Sequence, residues 1–150
     1  MSIVSQDTVL INAEVSNKTD AIKLAGDLLF KAGHVTADYI AGMLAREETM
    51  STYIGNGVAI PHGQFENKES IHSTGISVVQ VRSGIVWDEE EADELAHLII
   101  GIAATNDEHV GVLSNLAETL EEESAVQELV HTDDPMVIIE CLNRPQEEPA

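Results

Sequence analysis

Aromatic residues are scarce in this sequence, making up 3% of the 150 residues. A surface that stacks nucleic-acid bases needs such rings, so a role of that kind is disfavoured. The hydrophobic content is nevertheless 43%, and the core must therefore be built mainly from aliphatic side chains. A chain of this length fits one domain with a substantial core.

Basic residues are also few, with 7 lysines and arginines against 27 acidic residues and a formal net charge of −20. Because phosphate-rich partners are bound by clustered basic residues, we expect neither nucleic acid nor an anionic membrane as a partner. The acidity favours a basic protein partner or high solubility. A salt-adapted host would produce the same composition.

Cysteine occurs once, at Cys141. This excludes an internal disulfide and a zinc cluster of thiolates, and it favours a reducing compartment. The first residues show no basic segment followed by an apolar run, and no apolar run reaches the roughly 18 residues that span a bilayer. We therefore expect a cytoplasmic protein without direct membrane insertion.

Hydrophobic periodicity predicts strands interleaved with helices. Strands are predicted at Thr8–Val15, Val58–Ile60, Gly75–Arg82, Ile85–Trp87 (after a turn at Ser83 and Gly84) and Leu95–Ala104, the last buried on both faces. Helices are predicted at Ala21–Ala32, from Thr36 past Arg46, from a start signal at Thr105–Glu108 to Leu120, and at Ala125–Val130 and Met136–Leu142. The segment Gln64–Ser73 is predicted as a loop with a helical turn at Glu69–His72, and the acidic run Asp88–Glu94 as a solvated connection.

This order of elements predicts an α/β fold, a single-domain layered sandwich with a mixed sheet of about five strands flanked by helices. No repeat or linker divides the chain. We expect the domain to span residues 1–143, with a frayed tail rich in proline and glutamate at 144–150.

The segment leading to His62 holds this histidine on a constrained turn. A glycine on each side of Asn56 predicts a tight turn, and Pro61 removes a backbone donor, so the short strand must stop at His62. Gly63 permits close approach of a bulky group. A neutral imidazole is a competent nucleophile near pH 7, but this segment alone equally permits a histidine that only caps a strand end.

Two further residues are expected near His62. His109 falls in the first turn of a predicted helix, and Arg46 lies near the end of the helix that leads into the glycine-rich loop. An imidazole, a guanidinium and the N–H groups of a helix N-terminus together suit a phosphoryl group. In the structural alternative, His109 only caps its helix, and Arg46 forms an exposed ion pair worth roughly 0 to 1 kcal/mol with Glu47 or Glu48.

A zinc site is a more specific alternative, in which His62 and His109 bind the metal together with Asp107 or Glu108 as a third ligand. No metalloenzyme motif accompanies these residues, so we expect no metal and no cofactor. The remaining chemically active side chains are interpreted as ordinary surface or core residues: His34, His72, His97, His131, Trp87 in packing, and Cys141 as a small buried hydrophobe.

Arg46, the run Ser51–Gly63 and the run Ile100–Val110 resemble the enzyme IIA domain of the phosphoenolpyruvate-dependent sugar phosphotransferase system, a transferase family of sugar transport. The mannitol branch fits best, because the fructose and nitrogen-regulatory branches share the loop before Pro-His but usually lack the second run in this form. The resemblance extends from about Thr8 to Asn143. It implies a mixed sheet flanked by helices.

The resemblance implies that His62 becomes a phosphohistidine through Nε2. It would take the phosphoryl group from the phosphocarrier protein HPr and pass it to a cysteine of a IIB domain, during import of a polyol by a membrane IIC component. His109 would hydrogen-bond the phosphate and Arg46 would stabilise it. The acidity and the absence of attached IIB and IIC segments depart from the usual pattern and leave the polyol open. A regulatory phosphocarrier module and a metal-dependent hydrolase using His62 and His109 are the alternative functions.

Overall fold

The computed structural model describes residues 4–49, 51–63, 69–87, 95–104 and 109–143. Its elements are, in chain order, β1 (Val9–Leu10), α1 (Lys18–Lys31), α2 (Asp38–Thr49), β2 (Tyr53–Gly55), β3 (Val58–Ala59), β4 (Gly75–Val86), β5 (Leu95–Ala103), α3 (His109–Leu120), α4 (Glu123–His131) and α5 (Pro135–Asn143), with a short 3-10 helix, Gln6–Thr8, before β1. The predicted helices are confirmed, although α2 begins at Asp38 instead of Thr36.

The strands form one five-stranded sheet in the order β1-β4-β5-β3-β2. Strand β1 is parallel to β4, and β3 is parallel to β5. The other two pairs, β4 with β5 and β2 with β3, are antiparallel. The central pair runs from Gly75 opposite Ala103 to Val86 opposite Leu95. The sheet is mixed, as predicted.

Strand β5 carries the core on both of its faces. Since successive side chains of a strand point to opposite sides, Leu98, Ile100 and Ile102 lie on one face and Ile99 and Ala103 on the other. The first face packs against α3, α4 and α5, and the second against α1 and α2. The prediction of a strand buried on both faces is confirmed.

Two strand predictions were wrong, and one strand was missed. The strand predicted at Thr8–Val15 is only Val9–Leu10, because Asn12 has a left-handed φ of 52° that turns the chain out of line. The turn predicted at Ser83 and Gly84 is instead an irregularity within the continuous strand β4, where Gly84 has a φ of 81°. The edge strand β2, three residues long, was missed.

Some predictions fall partly or wholly outside the described residues: those for the acidic run Asp88–Glu94, the helix start at Thr105–Glu108, the first part of the loop after Gly63, and the tail 144–150. In the described part of this loop, Glu69 and Ser70 have helical geometry, and Ile71 pairs with Val35 in an isolated bridge. The predicted helical turn at Glu69–His72 is therefore shorter than expected.

The close packing of α1 on β5 depends on Gly101. A Cβ at Gly101 would lie 2.5 Å from Oγ of Ser77 and 3.1 Å from Cβ of Ala25. The Ser77 hydroxyl also donates a hydrogen bond of 2.8 Å to the Ala25 carbonyl. We expect Gly101→Ala to lower the free energy of unfolding by about 1–3 kcal/mol, because the extra methyl group overpacks this contact.

The control is Gly111→Ala on the exposed side of α3, where a Cβ would meet no atom of the described residues within 4 Å. This variant should raise stability by roughly 0.4–1 kcal/mol, since alanine restricts the unfolded chain. Urea unfolding of both variants measures the difference. Equal stability of the two would show that α1 does not pack on Gly101 as described.

Candidate active site at the carboxyl edge of the sheet

His62 lies just beyond strand β3, beside the end of β5. It forms an isolated parallel bridge with Ile102, and the Ile102 N–H donates a hydrogen bond of 2.9 Å to the Pro61 carbonyl. Because β3 and β5 are parallel, their carboxyl ends meet at this edge. In open α/β sheets, the crevice outside the carboxyl ends of strands is a common place for ligands and chemistry.

The imidazole of His62 is held in a defined orientation. Its Nδ1 lies 2.7 Å from the carbonyl oxygen of Ile60, and the ring is half-buried. A carbonyl oxygen only accepts hydrogen bonds, so Nδ1 carries the proton. In the neutral ring the lone pair therefore resides on Nε2, which makes Nε2 the nucleophilic nitrogen.

His62 lies on the same face of the sheet as helix α3. Residues paired in adjacent strands share a face, and Ile102, the partner of His62, belongs to the cluster packed by α3, α4 and α5. The side chain of Asn56, at the amino end of β3, donates a hydrogen bond of 3.3 Å to the carbonyl of Leu120, the last residue of α3. The C-terminal end of α3 is thus at the opposite edge of the sheet.

Helix α3 is about 16 Å long and begins with His109. The side chain of His109 lies outside what the structure describes.

Tyr39, near the start of α2, fixes the backbone on the other side of His62. Its hydroxyl donates a hydrogen bond of 2.8 Å to the Ile102 carbonyl and accepts one of 2.8 Å from the Gly63 N–H. Burial raises the pKa of Tyr39 to about 12, although the hydrogen bond from Gly63 opposes this shift. A Cβ at Gly63 would lie 2.5 Å from the tyrosine ring, so this close contact requires glycine.

Arg46 lies in the last turn of the same helix and is half-buried. Seven residues separate it from Tyr39, so both residues are on one face of α2, about 10 Å apart along the helix axis. The structure thus places His62 just beyond β3, Arg46 in the last turn of α2 and His109 at the start of α3.

The role of Tyr39 was missed by sequence reasoning. Its position one turn before Met43 on the buried stripe of α2 indicates burial. Nothing in the sequence pattern links it to Gly63 or to Ile102, which are distant in the chain. Only the fold brings these three residues together.

The other histidines whose contacts are described form ordinary structural hydrogen bonds. Nδ1 of His34 lies 2.9 Å from Oγ of Ser73, and burial lowers the pKa of His34. Nδ1 of His97 and of His131 lie 3.2 Å and 2.8 Å from the carbonyls of Val81 and Gln127. Trp87 is 2% exposed, as expected of a packing residue, while Cys141 is half-buried, less than predicted.

Residues 2–144 match the family model described as "Phosphoenolpyruvate-dependent sugar phosphotransferase system, EIIA 2". This chain belongs to that family. It is 39% identical over 143 residues to the mannitol-specific phosphotransferase enzyme IIA component of Bacillus subtilis, which covers 95% of this chain and 98% of that protein. It is 38% identical over 140 residues to the mannitol-specific EIICBA component of Pasteurella multocida, but spans only 22% of that longer protein.

Solved structures of the same family share the fold. The crystal structure of IIA mannitol from Escherichia coli has a TM-score of 0.84 at 37% identity, covering 92% of this chain and 97% of that one. The E. coli complex of IIA mannitol with phosphorylated IIB mannitol gives 0.85 at 36%, covering 92% and 95% of the two chains. The nitrogen regulatory protein IIA-Ntr of Neisseria meningitidis gives 0.80 at 26%, covering 93% and 96%. The predicted fold and family are confirmed.

Tyr39→Phe should loosen the turn that carries His62. The substitution leaves the Gly63 N–H and the Ile102 carbonyl without their buried partner, at an expected cost of about 1–3 kcal/mol in the free energy of unfolding. Urea unfolding at pH 8 measures this cost.

The same variant tests the pKa of Tyr39. The folded pKa of about 12 exceeds the ordinary 10.0, so the stability that the neutral phenol contributes is present below pH 10 and is lost as pH rises towards 12. The loss should reach about 1.4 kcal/mol per pH unit in the parent protein. Tyr39→Phe should show a flatter decline over this range. An identical decline in both proteins would contradict the buried, neutral phenol.

Proposed function

We propose that this chain is a phosphocarrier of the sugar phosphotransferase system, with His62 as the phosphoryl acceptor. The observation that carries the proposal is the hydrogen bond of 2.7 Å from Nδ1 of His62 to the Ile60 carbonyl, because it assigns the lone pair to Nε2. Family membership and the likeness to IIA mannitol structures support it. The donor would be phospho-HPr and the acceptor a cysteine of a IIB domain.

In the first step, Nε2 attacks phosphorus, forming an N–P bond as the bond from phosphorus to the donor breaks. The proton stays on Nδ1 throughout and is donated in the hydrogen bond to the Ile60 carbonyl. In the second step, a IIB thiolate attacks phosphorus, the N–P bond breaks and its electron pair returns to Nε2. Such transfers depend on positioning and charge stabilisation more than on proton chemistry.

Phosphorylation would add about −1.5 to −2 charges to a chain that already has a net charge of −20. The phosphoryl group therefore needs local stabilisation. We propose that the N-terminus of α3 lies beside His62 and supplies oriented N–H groups and a positive dipole end. We propose that His109 and Arg46 complete this stabilisation as hydrogen-bond donors to the phosphate oxygens.

Mannitol or a related polyol is the proposed cargo of the pathway. The Bacillus subtilis mannitol component matches over nearly the whole of both chains, and the nitrogen regulatory structure is less similar in sequence than the two mannitol structures. This difference favours transport over a regulatory module that docks on another protein. A pull-down of partners in both phosphorylation states separates these two functions.

A metal-dependent hydrolase is not favoured, because the relatives and structures described above are phosphotransferase-system proteins. Stoichiometric zinc in the purified protein would reopen that possibility.

We further propose a cytoplasmic location and a domain unit of residues 1–143, followed by a tail. The family match over residues 2–144 supports the domain boundary. None of the helices in the described part of the chain has the length and apolarity needed to cross a membrane.

Incubation with phosphoenolpyruvate, enzyme I and HPr should add about 80 Da in an acid-labile, base-stable form, as one phosphoryl group on a histidine nitrogen requires. Peptide mapping should place it on His62, and His62→Ala should not gain the mass. The matched control is His131→Ala, an exposed histidine on α4, which should be phosphorylated normally. A phosphorylated His62→Ala protein would overturn the assignment.

His109→Ala and Arg46→Gln should each slow transfer from phospho-HPr by about tenfold or more, since each removes a donor to the charge that the phosphoryl group carries. The phosphohistidine at His62 should also hydrolyse faster in His109→Ala. Single-turnover rates and the decay of the phosphorylated protein measure both effects. Unchanged kinetics in His109→Ala would assign this residue to helix capping alone.

A further inference from the structure

Glu47 is a buried carboxylate in the last turn of α2, with its side chain 4% exposed. Burying such a charge costs several kcal/mol unless donors surround it. Thr52 supplies two of them: its N–H lies 3.1 Å and 3.3 Å from the two carboxylate oxygens, and its hydroxyl lies 2.5 Å from Oε1. Trp87 Nε1 donates to Oε2 at 3.2 Å, and Lys18 Nζ lies 3.8 Å from the same oxygen.

A chain of hydrogen bonds leads from this carboxylate to the imidazole of His62. Thr52 is held by Glu47, and the Thr52 carbonyl accepts the Ile60 N–H at 3.0 Å. The carbonyl of the same Ile60 accepts Nδ1–H of His62 at 2.7 Å. The group that sets the tautomer of His62 therefore belongs to a residue whose N–H is fixed, through Thr52, by Glu47.

We propose that Glu47 is a positioning residue for phosphoryl transfer, acting through Thr52 and Ile60 to hold the His62 ring with Nδ1 protonated and Nε2 available for attack. This inference rests on the proposed role of His62 as acceptor. Glu47 touches neither phosphate nor partner in this scheme. Its function is to keep the Ile60 carbonyl aimed at the ring.

A carboxylate suits this position better than an amide. Among the described residues, the polar groups that contact the Glu47 carboxylate are donors: an N–H, a hydroxyl, an indole N–H and an ammonium. A carboxylate only accepts. In Glu47→Gln one accepting oxygen becomes an NH₂ group that faces a donor, so at least one of these contacts is lost and Thr52 is held less firmly.

The test compares Glu47→Gln with Glu48→Gln, the adjacent exposed glutamate, which undergoes the same change in charge. A second pair of variants changes Thr52, which connects Glu47 to Ile60 by hydrogen bonds. Thr52→Val removes the hydroxyl bonded to Glu47, and Thr52→Ser retains it. Transfer from phospho-HPr is measured over a range of donor concentrations. The ¹⁵N spectrum of the unphosphorylated His62 ring reports its tautomer, and thermal unfolding reports the folded fraction.

We expect Glu47→Gln and Thr52→Val to lower kcat by about tenfold, with KM for phospho-HPr changed less than about twofold, because misplacement of the nucleophile affects the chemical step. The ¹⁵N spectrum of both should show a mixture of the two neutral tautomers. Thr52→Ser should retain most of the rate of the parent protein, and Glu48→Gln should match the parent in rate and spectrum.

A folded Glu47→Gln protein with unchanged kcat, or with His62 still wholly in the Nδ1–H tautomer, would overturn the proposal and make Glu47 a structural residue only. If Glu47→Gln does not fold, the same criteria applied to Thr52→Val decide. If the parent protein accepts no phosphoryl group from phospho-HPr, the proposed function fails. The tautomer comparison still decides whether Glu47 orients His62.

Discussion

The chemistry of this site depends on one hydrogen bond, from Nδ1 of His62 to the carbonyl of Ile60. Donor and acceptor are two residues apart, and Pro61 between them has a fixed φ. A short-range contact of this kind selects one of two ring nitrogens before any partner arrives. The rest of the fold must then keep the Ile60 carbonyl directed at the ring.

The negative net charge of the chain opposes the addition of a phosphoryl group at this site. Among the described ion pairs, Lys31 and Arg82 contact carboxylates away from this site, and Lys18 contacts Glu47. Stabilisation of a phosphoryl dianion at His62 depends on groups placed at the edge itself. A helix N-terminus is well suited to this task because it adds positive potential without adding a basic side chain.

Local patterns predicted much of this molecule. Proline and the glycine-flanked turn located His62, and apolar periodicity located the helices and the doubly buried strand β5. Tyr39 and Glu47 could not be found in this way, since their partners Ile102 and Trp87 lie 63 and 40 residues along the chain. Glu47 in particular looks like a solvated charge beside Arg46 until the fold buries it. Strand β2 was missed because a three-residue edge strand has too few residues to show alternation.

Helix α2 supports His62 from both sides along the chain. Its Tyr39 hydroxyl bonds to Gly63, the residue after His62, and its Glu47 carboxylate acts through Thr52 on Ile60, two residues before it. Because both contacts originate from one rigid helix, a displacement of α2 moves the two flanks together and preserves the orientation of the ring between them. A site held on a regular element keeps its geometry more precisely than one held by loops alone. Arg46 lies on this helix between the two contacts, so its backbone keeps a fixed position relative to His62.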